Sequence, residues 1–359
     1  MAEPLKNLYT RELVESLATV LKRRYGGFDQ TGFINHVLDH EWQQRELKDR
    51  MGHISASLNA YLPMSYAQAV RILMQVAPGL SGFQYMFFPG FVESYGLDHF
   101  DDSMIALECF TRHSSSEFAV RPFIKTYGPQ MMQQMYTWSK SDNHHVRRLA
   151  SEGCRPRLPW AMALPAFKQD PSPVLPILNN LKNDESEYVR RSVANNLNDI
   201  SKDNPRMVLS LGREWLGQSP ETDWIVKHAC RSLLKQGEPE ALELFGFGKP
   251  DHVRLANFKV QKDVRVGERL EFSFTLESSR RILGKQRIEY GIDFLKKNGS
   301  LSRKVFSISE SDIQAKDKAV AKSHSFRNIT TRRYYPGEHR LCIIVNGVEM
   351  GRSAFQLMD

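Results

Sequence analysis

Arginine pairs and single acids recur along the middle of this 359-residue chain. Residues 142–152 read DNHHVRRLASE and residues 184–194 read DESEYVRRSVA, so the pair Arg147–Arg148 returns as Arg190–Arg191 after 43 residues. A looser third copy, at 223–231, follows the second after 37 residues. Because an arginine can bind a phosphate through two parallel hydrogen bonds, repeated pairs indicate a surface that holds a polyanion.

A period of about 40 residues is typical of solenoids made of two-helix repeats, in which each unit buries its apolar face against its neighbours. In the second copy, Val189, Val193 and Leu197 have helical spacing and predict a core stripe. Arg191 and Asp199 then lie about 200° around the helix from members of that stripe. We therefore expect both side chains to face away from the core.

The first copy predicts the same arrangement, with Arg148 and Glu152 on the outward face. Two interpretations of these acids stay open. Arg148 and Glu152 have the spacing of an ordinary i,i+4 salt bridge on a solvated helix, and Glu117 has the spacing of a capping box with Ser114. Alternatively, the acids serve catalysis, because carboxylates would only weaken a surface meant to bind phosphate.

The composition favours a protein that meets an anionic partner. The net charge is +8 and the pI about 9.2, for which nucleic acid is the commonest explanation. The four cysteines lie far apart without a zinc pattern, and His36 and His40 lack further ligands, so we expect neither disulfides nor a metal. Glycine-rich nucleotide motifs are absent, and we expect no cofactor. Residues 1–7 lack a signal core, and no apolar run could cross a membrane, which favours the cytoplasm.

Helical spacing continues to about residue 245. Thr10 is expected to cap the first helix, which ends at Gly26 and Gly27. A further helix is expected from about residue 158, between prolines that break up the segment joining the first two repeat copies. The other helices are predicted at roughly 29–39, 41–61, 65–76 and 103–112.

The helical spacing ends at residues 246–250, and short runs of residues that favour β-strands follow. Asn346–Gly347 carries the strongest hairpin signal. About seven strands in just over 100 residues suggest an immunoglobulin-like sandwich. We therefore predict a multidomain α-then-β chain. Residues 1–248 form an α-α superhelical solenoid of HEAT-like repeats, and residues 251–359 form an immunoglobulin-like β-sandwich. The strands are predicted at 253–260, 270–276, 287–295, 304–309, 320–326, 340–345 and 353–357.

Three segments resemble the HEAT-like-repeat DNA glycosylases of the AlkC and AlkD families, and AlkC is the closer match. They are residues 114–124 (SSSEFAVRPFI), 138–148 (WSKSDNHHVRR) and 186–205. In AlkD-type enzymes the first segment carries a catalytic aspartate between tryptophans. Here Glu117 takes the carboxylate position, and serine and histidine replace the tryptophans. The phosphate-binding arginine of the second segment falls on Arg148.

These departures fit the AlkC branch, in which several acids line the site and one subgroup carries a C-terminal immunoglobulin-like domain. The resemblance implies a site made of Glu117, Glu152 and Asp199, with Trp160 as the leading aromatic. The residues that we expect to bind DNA are all basic. They are Arg147, Arg148, Arg155, Arg157, Arg190, Arg191, Lys227, Arg231, Arg280, Arg281, Arg332 and Arg333.

The family resemblance implies excision of cationic N-methylated bases, chiefly 3-methyladenine and 3-methylcytosine, without flipping the base into a pocket. A methylated ring nitrogen makes the base a good leaving group, so positive charge on the deoxyribose is the remaining barrier. A carboxylate near C1′ stabilises that charge and can orient water, and an aromatic face such as Trp160 favours it.

The sequence thus supports a monofunctional DNA glycosylase that acts as a monomer on alkylated double-stranded DNA in the bacterial cytosol and nucleoid. The alternative is a non-catalytic helical-repeat scaffold that binds DNA or protein. Both explain the arginine pairs. Only the enzyme explains the carboxylates among them.

Overall fold

The computed structural model describes residues 3–63, 65–328 and 332–359. The chain packs as two units, one formed by Met1–Val208 and Trp215–Ala229 and the other by Leu209–Glu214 and Cys230–Asp359. Helices fill the first part of the chain and strands the last, which confirms the predicted α-then-β order. The predicted domain limits, 1–248 and 251–359, stay a prediction.

Sixteen α-helices lie within the described ranges. They are α1 Arg11–Arg24, α2 Gln30–Val37, α3 Leu47–Tyr61, α4 Tyr66–Val76, α5 Phe87–Tyr95, α6 Phe100–Thr111, α7 Val120–Tyr127, α8 Pro129–Trp138, α9 His144–Glu152, α10 Pro165–Gln169, α11 Leu175–Leu181, α12 Glu187–Ile200, α13 Pro205–Trp215, α14 Pro220–Ala229, α15 Arg231–Gln236 and α16 Pro239–Leu244.

The first helix follows the rule that predicted it. The Thr10 hydroxyl oxygen accepts a hydrogen bond from the Leu13 N–H at 3.2 Å, which satisfies one of the free donors at the start of α1. Val14, Leu17 and Leu21 bury the apolar face of the helix. The helix expected from residue 158 was wrong, because the prolines of that segment leave a loop until α10.

The three repeat copies lie on α9, α12 and α14. Helix α9 packs against α12, and α12 packs against α14. The predicted stripe of Val189, Val193 and Leu197 is buried, as expected. Glu152 is the last residue of α9, and Asp199 lies in the last turn of α12.

The second unit contains eight described strands. They are β1 Val253–Val260, β2 Asp263–Arg265, β3 Arg269–Ser278, β4 Gly284–Leu295, β5 Leu301–Ile313, β6 Asp317–Ser325, β7 Gly337–Val345 and β8 Val348–Met358. One sheet has the order β1-β3-β6 and the other β2-β8-β7-β4-β5. Asn346 and Gly347 both have positive φ, at 45° and 77°, and form the predicted two-residue turn between β7 and β8. The sequence missed only β2 because its three residues are too short for an alternation signal.

Candidate active site

Arg148 on α9 links two of the predicted acids. Its Nη1 donates to Glu117, which lies in the turn before α7, and its Nη2 lies 3.5 Å from the Glu152 Oε1. The guanidinium also stacks on the Tyr188 ring, at 4.8 Å from the ring centroid. Burial disfavours its charge, but Glu117 and Glu152 outweigh that effect and raise the pKa of Arg148. The cation is therefore fixed between two carboxylates.

Arg155, in the loop after α9, links the second acid to the third. Its Nη1 donates to the Glu152 Oε1 at 2.6 Å, and its Nε donates to the Asp199 Oδ2 at 2.9 Å. Lys202 reaches the other oxygen of Asp199 at 3.2 Å, and the Ser192 hydroxyl donates to Glu152 at 2.7 Å. Together with Arg148 and Glu117, these contacts form a continuous chain of alternating charge, here called the carboxylate–arginine chain: Glu117, Arg148, Glu152, Arg155 and Asp199.

The outward position predicted for the Glu152 and Asp199 side chains was wrong, because both are buried. The side chains of Glu152 and Asp199 are only 7% and 4% exposed, and that of Glu117 is 14% exposed. Both helical acids lie in the last turn of their helices, where the loop carrying Arg155 covers them. Periodicity within one helix identifies the face that packs on the core. It does not show whether a neighbouring segment covers the opposite face.

The capping box predicted for Ser114 and Glu117 was also wrong. Helix α7 begins at Val120, after a turn, and Glu117 instead accepts hydrogen bonds from Ser115, at 2.5 Å, and from Arg148. The Ser-x-x-Glu spacing is common to many turns, and here the guanidinium is the stronger partner for the carboxylate.

The two arginines of each repeat pair have different environments. The first of each pair bonds the loop at the start of α12: Arg147 donates to the Asp184 carboxylate at 2.6 and 3.0 Å, and Arg190 donates to the carbonyls of residues 184 and 185. Of the second arginines, Arg148 lies in the carboxylate–arginine chain, while Arg191 is 61% exposed beside Glu187. The paired sequence pattern therefore combines an arginine that holds a loop with one that pairs with glutamate side chains.

The remaining cations of the helical region lie toward solvent to different degrees. Arg157 forms an ion pair with Asp203 at 2.7 Å and is about one third exposed. Lys227 is exposed and Arg231 is half-buried. These positions leave Arg157, Lys227 and Arg191 more accessible to a ligand than Arg147 or Arg155.

Trp160 is the most exposed aromatic side chain near the acids. It is 60% exposed and has a φ of 65°, which costs an ordinary side chain about 1–2 kcal/mol. The Lys48 ammonium donates to its carbonyl oxygen. A cavity of about 300 Å³ lies beside it, with Phe118 and Met162 among its lining residues. The loop therefore holds an indole ring toward solvent against an unfavourable backbone conformation.

The predicted DNA-binding cations of the second, β-rich unit also differ in their environments. Arg280 and Arg281 are exposed in the turn between β3 and β4. Arg332 stacks on the Phe294 ring at 4.4 Å, and Arg333 lies 5.7 Å from the Tyr335 ring centroid. The segment that carries the last two includes Thr330 and Thr331, which lie outside the described residues.

Sequence reasoning missed three residues that support the site. Tyr188 beneath Arg148 directly precedes the second Val-Arg-Arg copy, so its position was visible in the repeat. Arg121 lies in a segment quoted for its family resemblance, but nothing in its spacing marks it as buried. Lys48, from α3, had no signal because it reaches Trp160 from 112 residues away.

Metal and membrane features were searched in the described ranges. No group of three or more histidine, cysteine, aspartate or glutamate side chains there could hold a metal ion. None of the described helices combines the length and apolar character needed to cross a membrane.

Comparison with known proteins matches both parts of the chain. Residues 111–233 match the model of the DNA alkylation repair enzyme family, and residues 254–359 match the C-terminal Ig-like domain of the uncharacterised protein YhaZ. The uncharacterized protein YhaZ of Bacillus subtilis (strain 168) is 46% identical over 355 residues, which cover 98% of this chain and 99% of YhaZ. The alkylpurine DNA glycosylase AlkC of Pseudomonas fluorescens, solved bound to DNA containing an abasic site analog, is 40% identical. That match has a TM-score of 0.94 and covers 99% of this chain and all of AlkC.

A helical region that matches the DNA alkylation repair enzymes and carries buried acids among arginines defines this chain as a member of that class. Sequence identity of 40% to AlkC over nearly the whole of both chains identifies the family within that class. The chain belongs to the AlkC family, in the form with a C-terminal Ig-like domain. Its family resemblance was thus correctly predicted from the three segments around the repeats.

Proposed function

We propose that this protein is a monofunctional DNA glycosylase that removes cationic N-alkylated bases, with 3-methyladenine and 3-methylcytosine as the principal substrates, from duplex DNA. The observation that carries the proposal is the carboxylate–arginine chain. A scaffold that only binds DNA gains nothing from three nearly buried carboxylates, because each repels phosphate and costs desolvation free energy.

The proposed mechanism depends on where positive charge develops as the base leaves. The alkylated base already carries a positive charge and departs as a neutral molecule, so it needs little help from an acid. As the C1′–N bond breaks, the charge moves to the deoxyribose, where an oxygen of Glu117, Glu152 or Asp199 stabilises it. A second carboxylate oxygen accepts a proton from the attacking water. Arg148 and Arg155 hold the acids in fixed orientations, so little reorganisation is required when the bond breaks.

The exposed ring of Trp160 is proposed to pack against the deoxyribose. An indole face against the sugar stabilises a developing cation by its π electrons and excludes water from one side. The strained backbone at Trp160 fits a functional site, since such conformations persist only where the surroundings impose them.

We propose that the base is not flipped into a pocket. The mechanism proposed above requires access to C1′ and does not require that the base be enclosed. An enzyme of this kind should excise a cationic base with a bulky N-alkyl group at a rate similar to that for the methylated base. A sharp loss of rate with adduct size would instead indicate an enclosing pocket.

DNA binding is proposed for the more exposed cations. Arg191, Arg157 and Lys227 suit phosphate contacts on the helical region, and Arg280 and Arg281 suit them on the β-rich unit. A basic depression on the sheet β1-β3-β6, which includes Lys259, Arg269 and Lys322, offers a further surface for the DNA backbone.

We further propose that the protein acts as a monomer in the bacterial cytosol, on the DNA of the nucleoid.

The experiment is direct detection of free base. Duplex DNA treated with a methylating agent is incubated with the protein, and released bases are separated and identified by mass. Release of 3-methyladenine or 3-methylcytosine, with an abasic site left in the strand, supports the glycosylase. Tight DNA binding without release of any base supports the scaffold.

A further inference from the structure

Arg121, the second residue of α7, is a buried cation without a carboxylate partner in direct contact. Its exposure is 0%. Its Nη1 donates to the carbonyls of Gly153 and Arg155, both at 2.9 Å, and its Nε donates to the carbonyl of Met162 at 2.7 Å. Its Nη2 is buried and has no hydrogen-bond partner among the described residues. The main chain of one segment therefore supplies all the oxygens that this guanidinium binds.

That segment is the loop from Gly153 to Leu164, between α9 and α10. It begins directly after Glu152, carries Arg155, and passes through Trp160. Two of the carbonyls that Arg121 binds lie at the beginning of the loop and the third lies after Trp160. One side chain thus joins both limbs of a segment that has no helix or strand of its own to hold it.

We propose that Arg121 is a positioning residue for the reaction: it fixes the 153–164 loop so that Arg155 bridges Glu152 and Asp199 while the Trp160 ring stays exposed. The proposal rests on the proposed function. The physical reason is that the loop's backbone conformation at Trp160 is unfavourable and must be held by contacts elsewhere. Lys48 binds the loop at Trp160 itself, and Arg121 binds it on either side.

The chemistry of the guanidinium suits this position. Its planar fork reaches carbonyls in several directions at once, whereas a lysine ammonium is a single point on a flexible stem. Burial lowers the pKa of Arg121 to about 10, so the side chain stays protonated at neutral pH. Its charge is balanced by the dipoles of the carbonyls that it binds and, at longer range, by Glu152 and Asp199.

The test compares Arg121→Lys and Arg121→Met with a matched control, Arg50→Met. Arg50 on α3 is likewise nearly buried and donates only to carbonyls, those of Lys6 and Arg45 at 2.9 and 3.1 Å, but it does not contact the loop. Removing either arginine is expected to lower the stability of the protein. Removing Arg121 alone should affect the site.

Two measurements are made on each full-length variant: the single-turnover rate of base excision at saturating enzyme, and hydrogen exchange of the loop amides by mass spectrometry. We expect Arg121→Lys to lose about 10- to 100-fold in rate, which is what a displacement of about 1 Å costs, and Arg121→Met to lose more. Exchange should rise at residues 153–164 in both, with DNA affinity nearly unchanged. Arg50→Met should keep the wild-type rate and loop protection.

Two results would overturn the proposal. One is an Arg121→Lys protein that folds and excises as fast as the Arg50→Met control, and the other is loop exchange that stays at the wild-type level in both Arg121 variants. Hydrogen exchange does not depend on activity. If the wild-type protein released no base, the proposed function would fail, while the exchange experiment would still decide whether Arg121 holds the loop.

Discussion

Each acid of the carboxylate–arginine chain contacts at least one guanidinium, and this pairing determines how it can act. A carboxylate held by an arginine keeps its orientation, but a buried pair loses much of its stabilisation to desolvation. Glu117 differs from the other two because it lies in a turn rather than in a helix and has a more exposed side chain. The family resemblance implied all three acids, and the spacing of Arg148 and Glu152 left a salt bridge between them open. Arg155 was predicted only as a DNA ligand.

Glu117 therefore offers the substitution that is least disruptive to folding. Glu117→Gln should reduce the single-turnover excision rate about 10-fold or more, because a neutral amide cannot stabilise positive charge on the sugar. Its effect on the free energy of unfolding should stay near 1–2 kcal/mol, since Arg148 keeps Glu152 as a partner. The check is the rate at saturating enzyme together with urea unfolding. A wild-type rate in a well-folded variant would remove Glu117 from the site.

At the scale of elements, periodicity predicted the repeat helices and most of the strands, but not the loops. The core stripe of α12 and seven of the strands were predicted because regular spacing follows from burial on one face. The loop at 153–164 has no such pattern: its conformation depends on Arg121 and Lys48, which come from α7 and α3. The same limit explains why Glu152 and Asp199 were expected to face solvent, since the loop that covers them could not be foreseen.

His324, in strand β6, predicts a pH response of the second unit that the sequence did not indicate. Burial, followed by the charges of Arg332 and Arg269, lowers the pKa of His324 to about 4. Its Nδ1 lies 3.0 Å from the Tyr290 hydroxyl, and its Nε2 is buried without a described partner. In the unfolded chain a histidine titrates near pH 6.5, so between pH 6.5 and about 4 the unfolded state binds the extra proton.

The unit should accordingly lose stability as the pH falls through this range, by at most about 1.4 kcal/mol per pH unit from His324. His324→Phe removes that contribution while keeping an aromatic ring of similar size. Denaturant unfolding of the wild type and the variant at pH 7 and pH 5 checks this. The stability difference between the two proteins should shift in favour of the variant at pH 5, and a difference independent of pH would refute it.

At the scale of the whole molecule, each of the two units is made of more than one stretch of the chain. The contribution of the second unit to DNA binding must therefore be tested without deleting part of the chain. A deletion after residue 250 would divide the second unit, which also includes Leu209–Glu214 and the helices after Cys230. Exposed side chains provide the cleaner test. Arg280 and Arg281 lie in the turn after β3, while Lys296 and Lys297 lie in the turn after β4 and are likewise exposed and equal in charge.

The double variant Arg280→Ala with Arg281→Ala should weaken binding to damaged and undamaged duplexes alike. If both side chains bind phosphate, the slope of log K against log salt concentration should fall by about two units. The control pair Lys296→Ala with Lys297→Ala carries the same loss of charge, so it measures the general electrostatic effect. Equal slopes for the two double variants would show that the Arg280 turn does not contact the backbone.

The most direct test of the central claim compares binding and excision in Glu152→Gln and Asp199→Asn on a duplex with a single 3-methyladenine. The wild-type protein should release the base, and both variants should lose about 100-fold or more in single-turnover rate while their Kd changes less than about threefold, because the carboxylates act on charge present only in the transition state. Thermal unfolding confirms that each variant is folded, as removing one partner of Arg155 is expected to cost about 3–5 kcal/mol. Wild-type excision rates in both folded variants would contradict the account.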